Sequence, residues 1–524
     1  MNHRCISRSE WRWLAVVTAL IVLLSVAPNA WGDLIASPAY HFSGVVFLPE
    51  DGDTYVAKIR QGMQGAWLYS MVFNADPGPP LLLYTYYLLW GHIGALLNWE
   101  AEFIFLVARI LAAVVLLISL YVFVARFFYR ARERRFAFLL AAVGGGFGWL
   151  TLLAGHPTPD IVQPEMFPFA SILANAHFAL AMAATLCLLD LIVRVPPERV
   201  QDVSRSTWLL ILLASVFLAS SAPPPLAVVA LVGGLWLGAR WYSTRALPRA
   251  TFAQLAGVLL LAAPFALYYG WQSVSNSAYA AWNRQNTTPS FPPLDYALAG
   301  GSVLLLAGLY LWREFRRNSL ECIRNSDDFM LVVWVLVVAA VSYLPFIALQ
   351  RRFSVAAFVP LAVLAAKAVF TSARLNTMVV RVGLLTMAAL TNAVLLLVLF
   401  VGLFLHAPTL FLSADEWQAV RFLRASADRQ ALVLSSPQMG LFLPVWSGQR
   451  VVFGHPVETF DAKARRVQVE QFYAGLLDDP QSFLAPVDYI FVGPRERGLG
   501  APAIPSSFRL SFANGDVTVY AKQR

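Results

Sequence analysis

Acids, arginines and histidines are scarce in this chain, so the places where they cluster carry most of its chemical information. Three acids fall within four residues in the segment 49–55: Glu50, Asp51 and Asp53. An acid held beside a substrate hydroxyl can serve as general base, and carboxylate oxygens also suit a hard divalent cation. The segment runs into a stretch, 56–69, where apolar positions recur every four residues (Tyr55, Ile59, Met63), which predicts a short amphipathic helix lying on a membrane surface. The acids then stand at its N-terminus, where the helix dipole favours negative charge. A capping group with solvated neighbours and a base or metal ligand are both open readings of the cluster.

A second group spans 156–177 and holds His156, Asp160, Glu165, Asn175 and His177, with no basic residue among them. Two acidic loops could share a divalent cation such as Mg or Mn, with Asp51 and Glu165 as its ligands. A lone histidine such as His177 is more often a satisfied interfacial side chain than a ligand. The third group is Gln350-Arg351-Arg352-Phe353. An arginine pair beside a bilayer either snorkels to the headgroups or forms an anion site, since a guanidinium can hold a phosphate through two parallel hydrogen bonds.

The elements that must position these groups follow from composition. The chain has 524 residues, of which 58% are hydrophobic and only 13% charged, against about 25% charged in ordinary soluble domains. This excludes a soluble enzyme, a disordered protein and a nucleic-acid-binding module. The net charge of +9 is the signature of basic cytoplasmic loops. Three cysteines, Cys5, Cys187 and Cys322, are too few and too scattered for a disulfide framework or a zinc site.

Eleven apolar runs could cross a hydrocarbon core of about 30 Å: 14–30, 103–125, 136–154, 172–193, 208–222, 226–239, 252–270, 295–312, 329–349, 356–371 and 380–405. The first is read as an uncleaved span rather than a cleaved signal peptide, because it is long and Pro28 spoils the small-x-small pattern before Ala30. The apolar stretch 79–97 is read as a helix at the outer interface, and Pro223-Pro224-Pro225 as the turn between two short spans. With these choices the cytoplasmic segments hold 21 Lys and Arg and the outer loops before the tail hold five, a strong orientation bias. The N-terminus is therefore expected in the cytoplasm and the C-terminal tail outside, in a plasma (inner) membrane. Only Arg109 is embedded within a span. The fold class expected is an all-α polytopic membrane protein, with residues 1–405 as its transmembrane domain and a first outer loop at 32–102. Residues 406–524 form a small extracytoplasmic α/β domain: a helix at 415–424, strands at 431–435, 450–454 and 489–493, and a hairpin over 508–522 turned at Asn514-Gly515.

In order and layout these residues resemble the GT-C glycosyltransferase superfamily, and most closely its bacterial dolichyl-phosphate-mannose–protein-mannosyltransferase-like and aminoarabinose-transferase-like members. The likeness rests on Asp51, Tyr55 four residues on, the 56–69 segment, Asp76-Pro77-Gly78-Pro79-Pro80 before an interfacial helix, and Ala108-Arg109-Ile110 in the next span. It extends over residues 10–370 in layout. Family members often carry Asp-Glu where this chain has Asp51-Gly52, which leaves Asp51 and Asp53 both open as the base. The segment Gly454-His455-Pro456-Val457-Glu458-Thr459 resembles outer domains of uncharacterised members and says nothing of substrate.

The resemblance implies transfer of a sugar, with inversion, from a polyprenyl-phosphate donor to a glycan, lipid or protein acceptor at the outer face. It implies Asp51 (or Asp53) as base and Arg351 and Arg352 as ligands of the leaving phosphate. Glu165, Asp160 and His177 would position acceptor or metal, and Arg109 and Tyr55 would give structural support. Rival readings are a lipid-linked-saccharide flippase, which would require polar residues through the spans, a non-catalytic membrane subunit, and an O-antigen-polymerase-like enzyme.

Overall fold

The computed structural model describes residues 6–193, 199–317 and 327–523; Cys5 and Cys322 lie outside them. Among the described residues, nine helices are long and apolar enough to cross a membrane, and two shorter apolar helices, Arg205–Ser221 and Asp328–Val341, accompany them. The chain falls into two compact units, one of residues 1–27, 108–267 and 288–398, the other of 28–107, 268–287 and 399–524.

The first unit is helical. Its local breaks follow from glycine and proline. The span expected at 136–154 is present as one of the nine, Ala131–Leu153, but it is broken into two helical segments, Ala131–Val143 and Gly148–Leu153, at Gly144-Gly145-Gly146. A Cβ on Gly146 would lie 2.2 Å from the Leu298 carbonyl oxygen, and one on Gly301 would lie 2.8 Å from the Gly146 Cα. Gly301 has φ +47° and kinks the helix Pro293–Arg317 at that contact, so both positions need a residue without a side chain. The triple proline behaves as expected: Arg205–Ser221 stops before it and Pro224–Thr244 begins on it, because proline suits a first helical turn. The run at 329–349 ends early, at Val341, ahead of Pro345. It gives way to a short 3₁₀ helix, Gln350–Ser354.

The second unit is built on two helices and a sheet. With α1 as the N-terminal helix Arg8–Ile35, α2 is Pro49–Met63 and α3 is Thr85–Leu97. The helix expected at 56–69 thus starts seven residues earlier. Proline at its first position and Glu50 and Asp51 in its first turn suit that start. Nor does it lie on a surface: Gly52 through Gly62 are all buried. Its polar face, meant for water, is covered by protein instead. The helices α2 and α3 meet at bare backbone, since a Cβ on Gly62 would sit 2.1 Å from the Leu88 carbonyl oxygen and one on Gly91 equally close to that of Ile59. At 13 residues α3 is about 20 Å long, too short to span.

The strands are β1 (Tyr40–Phe42), β2 (Phe411–Ser413), β3 (Leu432–Leu434), β4 (Arg450–Val451), β5 (Tyr489–Val492), β6 (Phe508–Asn514) and β7 (Val517–Lys522). Five of them form a sheet in the order β4-β3-β5-β7-β6, parallel over the first three and antiparallel at β5-β7 and β7-β6. The hairpin expected from Asn514-Gly515 is present, with Gly515 at φ +48°. Sequence did not reveal β1, which pairs antiparallel with β2 through Tyr40–Ser413, His41–Leu412 and Phe42–Phe411. Helix Ala414–Ser426 opens with a capping box between Ser413 and Glu416. One continuous apolar core joins α2 residues Tyr55, Val56 and Ile59 to Phe442, Val445 and Trp446 of the helix Met439–Trp446 and to Phe491 and Val519 of the sheet.

The α2–α3 contact predicts a specific sensitivity. Gly62→Ala should cost about 2 kcal/mol, because an added methyl meets backbone that cannot rotate away. Thermal unfolding of the purified full chain should register the loss, and Gly65→Ala, whose Cβ meets nothing within 4 Å, gives the cost of left-handed backbone strain alone, since Gly65 has φ +94°.

Candidate functional site

The two acids that sequence left interchangeable lie on opposite sides of α2. Two residues turn a helix by about 200°, so Asp51 and Asp53 cannot share a face. The Asp51 side chain is 41% exposed. Asp53 is fully buried and neither carboxylate oxygen finds a hydrogen-bond partner; burial alone holds its carboxyl well above the usual carboxylate range. An acid enclosed on both oxygens has no access to a substrate proton.

On the Asp51 face the next residues along α2 are Thr54, Tyr55 and Lys58, at the three- and four-residue spacing that puts side chains in a row. Thr54 donates to the Asp51 carbonyl at 2.8 Å. Lys58 is fully buried and donates at 3.0 Å to Thr54 Oγ1 and at 2.6 Å to Glu458 Oε1. Its ammonium stands 4.1 Å from the Tyr84 ring centroid, 4.6 Å from Tyr55 and 5.1 Å from Tyr69, an aromatic cage of the kind that stabilises a desolvated cation. Tyr55 also stacks on Tyr87 at 4.5 Å, and the Tyr69 hydroxyl donates to the other oxygen of Glu458. Both oxygens of Glu458 are thus paired inside the protein.

The segment carrying Glu458 is anchored along its length. Asn74 Nδ2 donates to the Glu458 carbonyl at 2.7 Å, Thr459 Oγ1 donates to the Phe73 carbonyl at 2.8 Å, and Gln285 Nε2 donates to the carbonyls of Val457 and Thr459, each at 2.6 Å. Within it, the backbone N–H groups of Val457 and Glu458 both point at His455 Nδ1, at 3.1 Å. That nitrogen therefore accepts, and the ring proton resides on Nε2, which lies 3.5 Å from Asp51 Oδ1. His455 is only 5% exposed at its side chain.

The remaining residues singled out by sequence belong to the first unit. Asp160 accepts four hydrogen bonds, from the N–H groups of Gly146 (3.0 Å) and Gly148 (2.9 Å) and the hydroxyls of Thr158 (2.7 Å) and Thr391 (3.0 Å). Burial pushes its carboxyl up and these donors pull against that. Its geometry is that of a residue holding the glycine break together. Glu165 forms a 2.6 Å ion pair with Arg352, whose guanidinium lies 5.2 Å from the Phe178 ring; His177 packs on Phe178 at 4.2 Å. Arg351 differs from its neighbour. Among the described residues no carboxylate lies within ion-pair distance of it, its buried Nε has no partner, and it stands 5.4 Å from the Phe291 ring. Its backbone is fixed by a bond to the Thr288 carbonyl at 3.0 Å. Arg109, buried in its helix, donates to the carbonyls of Ser25 and Ile172, each at 3.4 Å.

No protein-family model matches the sequence, and no curated protein matches it either. Among solved structures, ArnT from Cupriavidus metallidurans bound to undecaprenyl phosphate is similar at a TM-score of 0.57, with 98% of each chain covered and 14% identity. The archaeal oligosaccharyltransferase AglB from Archaeoglobus fulgidus, in complex with an inhibitory peptide and a dolichol-phosphate, gives a TM-score of 0.53 over 93% of this chain and 70% of its own, also at 14% identity. The chain shares the fold of these two membrane proteins.

Within this fold the structure groups Asp51 with Tyr55 in one unit, and Glu165, Arg352 and His177 in the other. Asp51 and Glu165 thus fall in different units, and among the described residues no three His, Cys, Asp or Glu side chains gather as a metal-ligand set. Sequence reasoning missed Lys58, His455 and Glu458. The available signal was the spacing of Lys58, seven residues beyond Asp51 and hence on its face; nothing in sequence links either to residues 400 positions away.

The buried pair also predicts a pH response. Burial pushes the Glu458 carboxyl up, but the Lys58 ammonium and the hydrogen bonds from Lys58 and Tyr69 outweigh it and leave the group below its ordinary 4.5. A carboxyl depressed on folding contributes stability that is present above its unfolded pKa and lost as pH falls through the folded one. Thermal unfolding should therefore show the full chain losing stability below pH 4.5, and Glu458→Gln should be destabilised by about 3–5 kcal/mol near neutral pH with a flatter acid limb.

Proposed function

We propose that the chain is an integral-membrane glycosyltransferase that moves a sugar from a polyprenyl-phosphate-linked donor to an acceptor hydroxyl, with Asp51 as general base. The observation that carries this reading is the position of Asp51: of the two acids in the first turn of α2, Glu50 and Asp51, it is the one that stands 3.5 Å from a buried histidine nitrogen while its side chain stays 41% exposed. In the reaction the acceptor oxygen attacks the anomeric carbon as the bond to the phosphate oxygen breaks. The hydroxyl proton passes to Asp51, and the lipid phosphate departs as an anion that needs no general acid. Direct displacement inverts the anomeric centre.

Of the arginine pair, Arg352 has its charge engaged by Glu165, so Arg351 is the residue suited to a lipid phosphate. Two hydrogen bonds from a guanidinium with no carboxylate partner among the described residues favour a dianionic headgroup. The basic-loop bias supports an N-terminus in the cytoplasm of a bacterial cell and chemistry at the outer face of its plasma membrane. A requirement for magnesium or manganese is a separate question, since none of these steps is routed through a cation.

The full chain, reconstituted in liposomes with labelled undecaprenyl-phosphate hexoses and pentoses and a glycolipid acceptor fraction, should transfer label. Asp51→Asn should lower kcat by about 10²–10⁴-fold, and Asp53→Asn should act on stability rather than on the chemical step. Arg351→Ala should weaken binding of undecaprenyl phosphate, measured separately with the lipid alone. Running the assay with and without added Mg or Mn reads the cation requirement. Tight donor binding with no transfer in the wild type would favour a lipid-linked-saccharide flippase or a non-catalytic subunit.

A further inference from the structure

The segment 454–459 places one ring nitrogen where the proposed chemistry has use for it. We propose that His455 is a positioning residue that orients the Asp51 carboxylate through its Nε2–H. This inference rests on the assignment of Asp51 as base.

Three observations carry it. The ring is held in one tautomer, because the N–H groups of Val457 and Glu458 both donate to Nδ1; a donor at that position would face two donors. The proton therefore sits on Nε2, the nitrogen 3.5 Å from Asp51 Oδ1, a gap that a small rotation of the exposed carboxylate closes when substrate arrives, as catalytic hydrogen bonds commonly tighten in the bound state. Finally, the ring cannot drift, since it is buried and its turn is anchored on both sides: Glu458 by Lys58 and Tyr69, and the backbone of 457–459 by Asn74 and Gln285. A donor on Oδ1 fixes the carboxylate about its last torsion and directs the other oxygen to the acceptor hydroxyl. Lys58 and Glu458 also act electrostatically on this pair, Lys58 on Asp51 and Glu458 on His455, and they are engaged with each other.

Two substitutions separate the halves of the imidazole. In His455→Asn the side-chain oxygen can accept from Val457 and Glu458 as in an ordinary Asx turn, but nothing reaches Asp51. In His455→Gln an amide N–H extends as far as Nε2 did. The expected result for His455→Asn is a midpoint of unfolding close to the wild type, kcat lower by about 10–100-fold, and KM for the labelled undecaprenyl-phosphate sugar little changed. His455→Gln should recover much of kcat. Transfer that requires Asp51 but is undiminished in His455→Asn overturns the role of His455 alone. Full transfer in Asp51→Asn overturns the base, and His455 loses its role with it. If His455→Asn does not fold, His455→Gln decides: activity near the wild type supports the donor, and folded protein with the deficit expected of a missing donor counts against it.

Discussion

The ion pair between Lys58 and Glu458 is the constraint on which the candidate site depends. Each charge is buried, and a buried charge without a partner is costly enough to unfold a marginal protein. The two residues are 400 positions apart, so neither is tolerable until the C-terminal region of the chain has come against α2. Three tyrosine rings around the ammonium and the Tyr69 hydroxyl on the carboxylate complete the pairing. Once it forms, little freedom remains: α2 is fixed in rotation by Lys58, and the segment 454–459 is fixed in register by Glu458. Asp51, two helical turns from Lys58, and His455, three residues from Glu458, are then brought opposite one another.

That arrangement explains why α2 is so polar and yet so buried. A helix with Asp53, Lys58, Arg60 and Gln61 reads as one with a wet face, and its spacing of apolar residues invites placement on a membrane surface. Its polar residues are instead bound inside the protein on more than one side of the helix, Lys58 by Glu458. Arg60 donates to the Val445 carbonyl and Gln61 Nε2 to that of Ser70, while Gly62 lets α3 approach on backbone. Asp53 is the exception, with no partner for either oxygen, and burial holds its carboxyl well above the usual carboxylate range.

Much of the fold was legible because its signals are local. Apolar runs set the long helices, a triple proline separates one neighbouring pair, a Ser413–Glu416 spacing marks a helix start, and Asn514-Gly515 turns a hairpin. Local breaks are harder to read. The glycine triplet at 144–146 interrupts the helix inside a run that remains one candidate span, 131–153, and Pro49 opens α2 six residues ahead of Tyr55, where the hydrophobic repeat begins. The site was less legible for a different reason. In sequence Asp51 and Asp53 are equivalent candidates; only the rotation of α2, with Lys58 held by Glu458 from the far end of the chain, leaves Asp51 exposed and Asp53 buried. Arg351 and Arg352 were likewise equivalent in sequence and become different only when Glu165 takes one of them.

The central claim, that one buried ion pair fixes both α2 and the 454–459 segment, is tested most directly by hydrogen–deuterium exchange on the full chain carrying Lys58→Met, compared with the wild type. The account predicts that protection falls together in peptides covering 49–63 and 454–459, while the sheet strand at 489–492 keeps its protection. Loss confined to the peptide around residue 58, with 454–459 as protected as before, would contradict it.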